Sequence, residues 1–212
     1  MTKKNDNAYR AALIIESIII GLLLVLILTP LLFKKTDNEF EIERKWLIQE
    51  KDIPYDLSGS NVQIYDIAQT YINFSPEIRI RDVNNGSYYV LTIKTDDPAF
   101  KGLKRTEQEY HITEEDYLSI LSKKEGSTIH KTRYSIPNNG RIIEIDIFHD
   151  QLEGLAYMEI EFPSTEAANS FDTPDWVIQD ITTDMSYKNK NLAKYGIPDS
   201  FKNYLMERNN NE

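Results

Sequence analysis

Cysteine is absent from this 212-residue chain, and histidine occurs only three times. The first absence excludes disulfides and thiolate metal sites, and the second argues against a histidine-rich metal centre. Any metal has to be held by carboxylates, whose hard oxygens favour Mg²⁺ or Mn²⁺. Basic charge is also scarce: 24 Lys and Arg stand against 34 Asp and Glu, for a formal net charge of −10. A protein that grips phosphate backbones for affinity presents a basic face, so nucleic acid is not an expected partner, although local basic clusters can still hold a small anion. Internal repeats are absent too, and the only biased tract is the Asn-rich end at 208–212.

One long hydrophobic run is present. Residues 11–33 are almost entirely aliphatic, with Ile18-Ile19-Ile20 near the middle and Glu16 as the sole charge. That is the length a helix needs to cross a bilayer. A cleaved signal peptide fits less well, because Thr29-Pro30-Leu31 follows the apolar stretch where a small-residue cleavage site belongs. Residues 1–37 are therefore expected to be a single-pass membrane anchor, with Glu16 toward the headgroups. Lys3, Lys4 and Arg10 flank one end and Lys34 and Lys35 the other. The positive-inside rule is nearly balanced and leans slightly toward an inside N-terminus.

Beyond the anchor lies about one domain's worth of chain, read as a domain over 38–200 with a tail at 201–212. Segments 39–48, 62–74, 77–83, 87–95, 103–112, 129–136, 141–148 and 155–162 read as strands, punctuated by Asn84-Asn85-Gly86, Asp96-Asp97-Pro98 and Pro137-Asn138-Asn139-Gly140. Eight strands joined by hairpin signals predict a mainly β, eight-stranded antiparallel barrel or strongly curved sheet. Peripheral helices are expected from Thr113 to about Lys123, near Ser164, and over 189–195.

Alternation sorts the charges onto strand faces. Glu41, Glu43 and Lys45 oppose Phe40, Ile42 and Trp46, and Arg79 and Arg81 oppose Ile78 and Ile80. The pattern returns in Thr92 and Lys94, in Arg105, Glu107 and Glu109, in Lys131 and Arg133, in Glu144 and Asp146, and in Glu159 and Glu161. An ordinary solvated face accounts for any one of these strands. The set resists that reading, because like charges two apart on one face repel unless an opposite charge or an ion sits between strands. With the charged faces turned inward, the bases bind an anion and the acids bind divalent cations.

These segments in this order, from Glu41-Ile-Glu-Arg-Lys45 through Gln69-Thr-Tyr71, Arg79-Ile-Arg81, Leu91-Thr-Ile-Lys94, Arg105-Thr-Glu-Gln-Glu109, Lys131-Thr-Arg133 and Glu144-Ile-Asp146 to Glu159-Ile-Glu161, resemble the CYTH superfamily of triphosphate tunnel metalloenzymes. The resemblance runs from about residue 38 to 198. It implies an eight-stranded β-tunnel holding a linear triphosphate, with Mg²⁺ or Mn²⁺ as two ions, and hydrolysis of inorganic triphosphate as the expected activity. Relatives hydrolyse thiamine or nucleoside triphosphates or cyclise ATP, and a non-catalytic polyphosphate- or nucleotide-binding module is a further alternative. By matching position, Lys45, Arg79, Arg81, Lys94, Arg105, Lys131 and Arg133 would grip phosphate oxygens. Glu41, Glu43, Glu159 and Glu161 would hold metal, with Glu107, Glu109, Glu144 and Asp146 as further ligands or their supports. The chain departs from its relatives at Ser186-Tyr187, where they often carry Arg-Tyr, so Lys188 or Lys190 is the expected substitute at the closing end of the tunnel. Gln69, Tyr71, Trp46 and Trp176 are expected to be structural. A triphosphate substrate places the domain on the cytoplasmic face of the membrane, and nothing in the sequence fixes an oligomeric state.

Overall fold

The computed structural model describes residues 42–96 and 105–209, all within a unit that begins at Asn38. The expected membrane anchor and Glu41 lie outside the described residues. Among those described, no helix is long and apolar enough to cross a bilayer.

Nine strands form one antiparallel sheet. They are β1 (Ile42–Leu47), β2 (Gln63–Phe74), β3 (Glu77–Val83), β4 (Tyr88–Asp96), β5 (Arg105–Ile112), β6 (Glu125–Asn138), β7 (Arg141–Phe148), β8 (Ala156–Phe162) and the two-residue β9 (Gln179–Asp180). Their order is β5-β4-β3-β2-β6-β7-β8-β1-β9. The eight expected strands are all present, but among the described residues the sheet is open rather than closed into a barrel. β5 pairs only with β4 and β9 only with β1, so no ladder joins the two edges.

Turn chemistry sets the hairpins. Asn139 and Gly140 have φ of 49° and 78°, and Asn138 pairs with Arg141 across them, which is the two-residue hairpin an Asn-Gly pair favours. Asn84, Asn85 and Gly86 all take left-handed backbone between β3 and β4, a conformation asparagine and glycine tolerate best. β6 begins at Glu125, four residues before the expected Ile129. The extra length is fixed by packing: a Cβ on Gly126 would sit 2.6 Å from the Ala193 carbonyl, so only glycine lets the neighbouring helix lie against this strand.

Among the described residues four α-helices flank the sheet: α1 (Glu114–Leu121), α2 (Thr165–Asn169), α3 (Asn189–Tyr195) and α4 (Asp199–Asn209). Thr113 caps α1 by accepting from the Asp116 amide, and Ser164 caps α2 through the Ala167 amide. The segment read as a tail is therefore mostly helix, because Phe201 is fully buried and anchors α4.

The two sheet faces differ. The convex face of β1, β6, β7 and β8 carries Trp46, Ile136, Ile143, Ile145, Met158, Ile160 and Phe162, covered by Ala168 of α2 and by Trp176 and Phe171. Arg44 fastens this cover, donating to the carbonyls of Ala168 and Phe171 and pairing with Asp180 at 2.6 Å. Trp46 and Trp176 are packing residues, as expected. The concave face has an apolar end, where Leu47, Tyr71, Ile129, Phe148 and Tyr157 meet Tyr187, Leu192 and Phe201 from the C-terminal segment. Ile67, Val83 and Val90 are also buried on this face, and between these apolar patches it is charged.

Candidate active site

Residues directly opposite in an antiparallel pair point to the same side of the sheet. The register sets Glu43 opposite Glu161, Lys45 opposite Glu159, Glu144 opposite Glu159, Arg133 opposite Asp146, Lys94 opposite Glu107 and Thr92 opposite Glu109. Every expected site residue whose side chain is described on a strand thus lies on one face, the concave one. The charged alternation is not a solvated exterior: Lys45, Lys131, Asp146 and Glu159 are all buried.

One wall is built by β1, β6, β7 and β8. Asp146, with no exposed surface, accepts from Lys131 Nζ at 2.5 Å and from Arg133 Nε and Nη2 at 2.6 Å each. Glu159 accepts from Lys45 Nζ at 2.5 Å and Arg133 Nη2 at 2.6 Å, and Arg133 also meets Glu144. Burial alone would raise both buried carboxyls. Lys45 and Arg133 outweigh it at Glu159, which is held well below the usual carboxylate range, and Arg133 and Lys131 outweigh it at Asp146, which is lowered from its ordinary value. Burial prevails at Glu144, whose single cationic partner leaves it above its ordinary value. Lys45 is opposed by burial but raised overall by Glu159 and Glu43. Lys131 is lowered by burial and by the neighbouring Arg133.

The second wall is built by β3, β4 and β5. Arg79 Nη2 lies 3.1 Å from Glu107, Lys94 Nζ lies 2.8 Å from the same carboxylate, and Arg81 pairs with Glu109. Thr92, fully buried, donates to Glu109 at 3.0 Å and lies within reach of Arg81 at 3.4 Å. The Nε–H groups of Arg79 and Arg81 are buried and have no hydrogen-bond partner. An unmet buried donor costs about 1–3 kcal/mol. Two of them on one strand face mark where an incoming oxygen acceptor would be stabilised.

The metal question turns on Glu43 and Glu161. They are exposed carboxylates set directly opposite on β1 and β8, like charges that destabilise a sheet when nothing lies between them. Among the described residues no group of three or more His, Cys, Asp or Glu side chains is arranged to hold a metal ion. Mg²⁺ typically takes one or two protein carboxylates, with phosphate oxygens and water completing its shell. The Glu43–Glu161 pair fits that requirement, and Glu159, the next acidic position along β8, is engaged by Lys45 and Arg133.

Glu41 and the side chain of Arg105 lie outside the described residues; the Arg105 backbone opens β5 paired to Asp96, and Lys188 sits at the N-terminal cap of α3. Lys190 does approach the site, 4.0 Å from Glu77. Glu77 itself was not singled out by the sequence reading, although it is buried and 4.0 Å from Arg79. Its signal was available, since it stands two residues before Arg79 on the same strand face. Gln69 and Tyr71 are buried and bonded to each other at 3.0 Å, a structural role as expected.

Residues 39–195 match the CYTH domain. The chain is 34% identical over 158 residues to the inorganic triphosphatase of Nitrosomonas europaea, covering 72% of this chain and 96% of that protein. It is 34% identical over 157 residues to the inorganic triphosphatase of Acetivibrio thermocellus, covering 73% and 93% respectively. The solved structure of the inorganic triphosphatase NE1496 is similar with a TM-score of 0.55 at 31% identity, covering 76% of this chain and 97% of that one.

Proposed function

We propose that this chain, which belongs to the CYTH domain family, is a metal-dependent triphosphatase that hydrolyses a linear triphosphate, foremost inorganic triphosphate, by in-line attack of water. The observation that carries this reading is the pair of buried, unmet guanidinium donors on Arg79 and Arg81, set among bases on a concave face. Phosphoryl transfer asks a protein chiefly for positioning and for positive charge around the equatorial oxygens, and a row of Arg and Lys supplies both.

In this reading Arg79, Arg81 and Lys94 hold one end of the triphosphate, and Lys45, Lys131 and Arg133 the other, with Arg105 joining them from β5. Glu43, Glu159 and Glu161, with Glu41 preceding them on the chain, are the proposed metal carboxylates. When bound, Mg²⁺ or Mn²⁺, as two ions, neutralises phosphate charge and positions the attacking water. Glu159 takes part in an exchange. Free of substrate, its carboxylate is neutralised by Lys45 and Arg133; phosphate oxygens drawing those bases away would leave its charge available to a metal ion. Asp146 holds Lys131 and Arg133 in place, and Glu107 and Glu109 do the same for Arg79, Lys94 and Arg81.

The test is phosphate release from inorganic triphosphate, ATP and thiamine triphosphate with Mg²⁺ or Mn²⁺. Inorganic triphosphate is expected to give the highest kcat/KM, and absence of release from all three substrates would overturn the reading. Residues 11–33 are proposed, on hydropathy alone, to anchor the domain at the cytoplasmic face of a membrane. Alkaline carbonate extraction should leave the protein in the membrane fraction, and protease added to intact spheroplasts should spare the domain. Release into the supernatant, or digestion in spheroplasts, would contradict those two proposals respectively.

A further inference from the structure

Glu77 is a buried carboxylate to which the hydrolysis scheme gives no part. It stands opposite Lys94 of β4 and two residues before Arg79 on β3, so its side chain shares the concave face with both. The order along that strand face is Arg81, Arg79, Glu77: two bases and then an acid. The Glu77 carboxylate lies 4.0 Å from Arg79 Nη1 and 4.0 Å from Lys190 Nζ of α3, while Lys94 reaches Glu107 at 2.8 Å.

Past Glu77 the polar track stops. Phe74 of β2 is opposite Glu77 and Tyr71 is opposite Arg79, and the two rings stack with centroids 5.3 Å apart and planes 20° apart. Tyr71 belongs to the apolar cluster that Leu192 and Ala193 of α3 complete, and Phe74 packs against it. The close approach of Ala193 to Gly126 of β6 presses α3 onto the sheet at this end. A tie that only fastened α3 to β3 would account for the link to Lys190. It leaves unexplained why the row of bases ends on an acid, where another base would extend the grip on a longer anion.

We propose that Glu77 is a specificity-determining residue that limits the length of the phosphate chain, by fixing a negative charge where a fourth phosphate would have to lie. The proposal rests on the triphosphate reading of the charged face and deepens it by naming what ends the anion track. A linear triphosphate stops at Arg79 and leaves Glu77 beside Lys190. A longer linear polyphosphate brings its next phosphate against a buried carboxylate, and water screens that repulsion poorly. Selectivity of this kind comes from a penalty on the wrong ligand rather than from better contacts to the right one.

The experiment compares the full chain with its Glu77→Gln and Glu77→Asp variants on linear triphosphate and linear tetraphosphate. It reads kcat and KM for each with Mg²⁺ or Mn²⁺, and binding of each by calorimetry without metal. The wild type is expected to prefer triphosphate in both readouts. Glu77→Gln keeps the shape and removes the charge, and should raise the tetraphosphate-to-triphosphate ratio of kcat/KM roughly 10- to 100-fold, mainly through KM. Glu77→Asp withdraws the charge by one methylene and should fall between the two, which carries the test should the glutamine variant fail to fold. An equal change for both chain lengths would reduce Glu77 to a support for Arg79 and overturn the proposal, as would a wild type that takes tetraphosphate as well as triphosphate. If triphosphate is hydrolysed and the ratio moves in neither variant, the triphosphatase reading stands and the role of Glu77 fails. If neither chain is hydrolysed but wild type binds triphosphate in preference and Glu77→Gln abolishes that preference, the reverse holds.

Discussion

The wall of β1, β6, β7 and β8 and the wall of β3, β4 and β5 use the same residue types to opposite ends. In the first, Arg133 is shared by Glu144, Asp146 and Glu159, the central carboxylates are almost wholly buried, and Glu43 and Glu161 are exposed and make no ion pair among the described residues. In the second, acids and bases are matched more evenly, Glu109 is 47% exposed in its side chain, and the unmet groups are donors, the Nε–H of Arg79 and Arg81. One wall ends in surplus carboxylate and the other in surplus donor. That asymmetry suits the proposed site, in which bases of both walls would hold phosphate oxygens and the spare carboxylates of the first wall would hold metal.

The comparison breaks most visibly at Asp146. Asp146→Ala removes the shared acceptor of two buried bases and is expected to cost about 3–5 kcal/mol of unfolding free energy, read from the urea midpoint. A cost below about 1 kcal/mol would mean the first wall is no more interdependent than a surface ion pair. Next in size is the surplus pair. Glu43→Gln and Glu161→Gln should each lower kcat by roughly 100- to 1000-fold, the scale of losing one preorganised transition-state contact, while leaving the urea midpoint unchanged or slightly higher. Wild-type turnover in both purified variants would refute their role.

A smaller effect is set by pH. Asp146 and Glu159 have folded-state values below their ordinary 3.8 and 4.5, so their stabilising contribution is complete above about pH 4.5 and is lost as pH falls through the lowered values. Glu144, raised above its ordinary 4.5, has the opposite sign: its ionised form opposes folding, and protonation relieves that opposition. The two depressed groups outnumber the raised one, so urea stability should decline progressively below pH 4.5, and Glu159→Gln should flatten the decline. A rise in wild-type stability over that range would contradict the assignment of charge. Least affected is the second wall's rim, where Glu109→Ala is expected to cost no more than about 1 kcal/mol because solvent screens the pair.

Strand alternation made much of this legible. The period-two placement of Arg79 with Arg81, Lys131 with Arg133 and Glu159 with Glu161 put the charges on a common face before any contact was known, and Asn139-Gly140 fixed a hairpin from local chemistry alone. Closure was not legible, because pairing between edge strands depends on curvature accumulated over the whole sheet rather than on any residue at the edge. The early start of β6 depended on α3 packing against Gly126, a contact 67 residues away in sequence. Helix α4 was hidden by the Asn-rich end that follows it, although Pro198 and Asp199 are ordinary helix-start residues and Phe201 supplies its anchor. Which carboxylates are occupied by bases and which are spare was also beyond the pattern, since Glu159 and Glu161 are alike in sequence and differ in what lies across from them on β1: Lys45 in one case, Glu43 in the other.

The account rests on metal-dependent triphosphate hydrolysis between the two walls. Its most direct test is phosphate release from inorganic triphosphate by the purified full chain, first with EDTA and then during titration with Mn²⁺ or Mg²⁺. The account predicts no release in EDTA and a saturable onset with added metal. Equal release in EDTA, or none at any concentration of either ion, would contradict it.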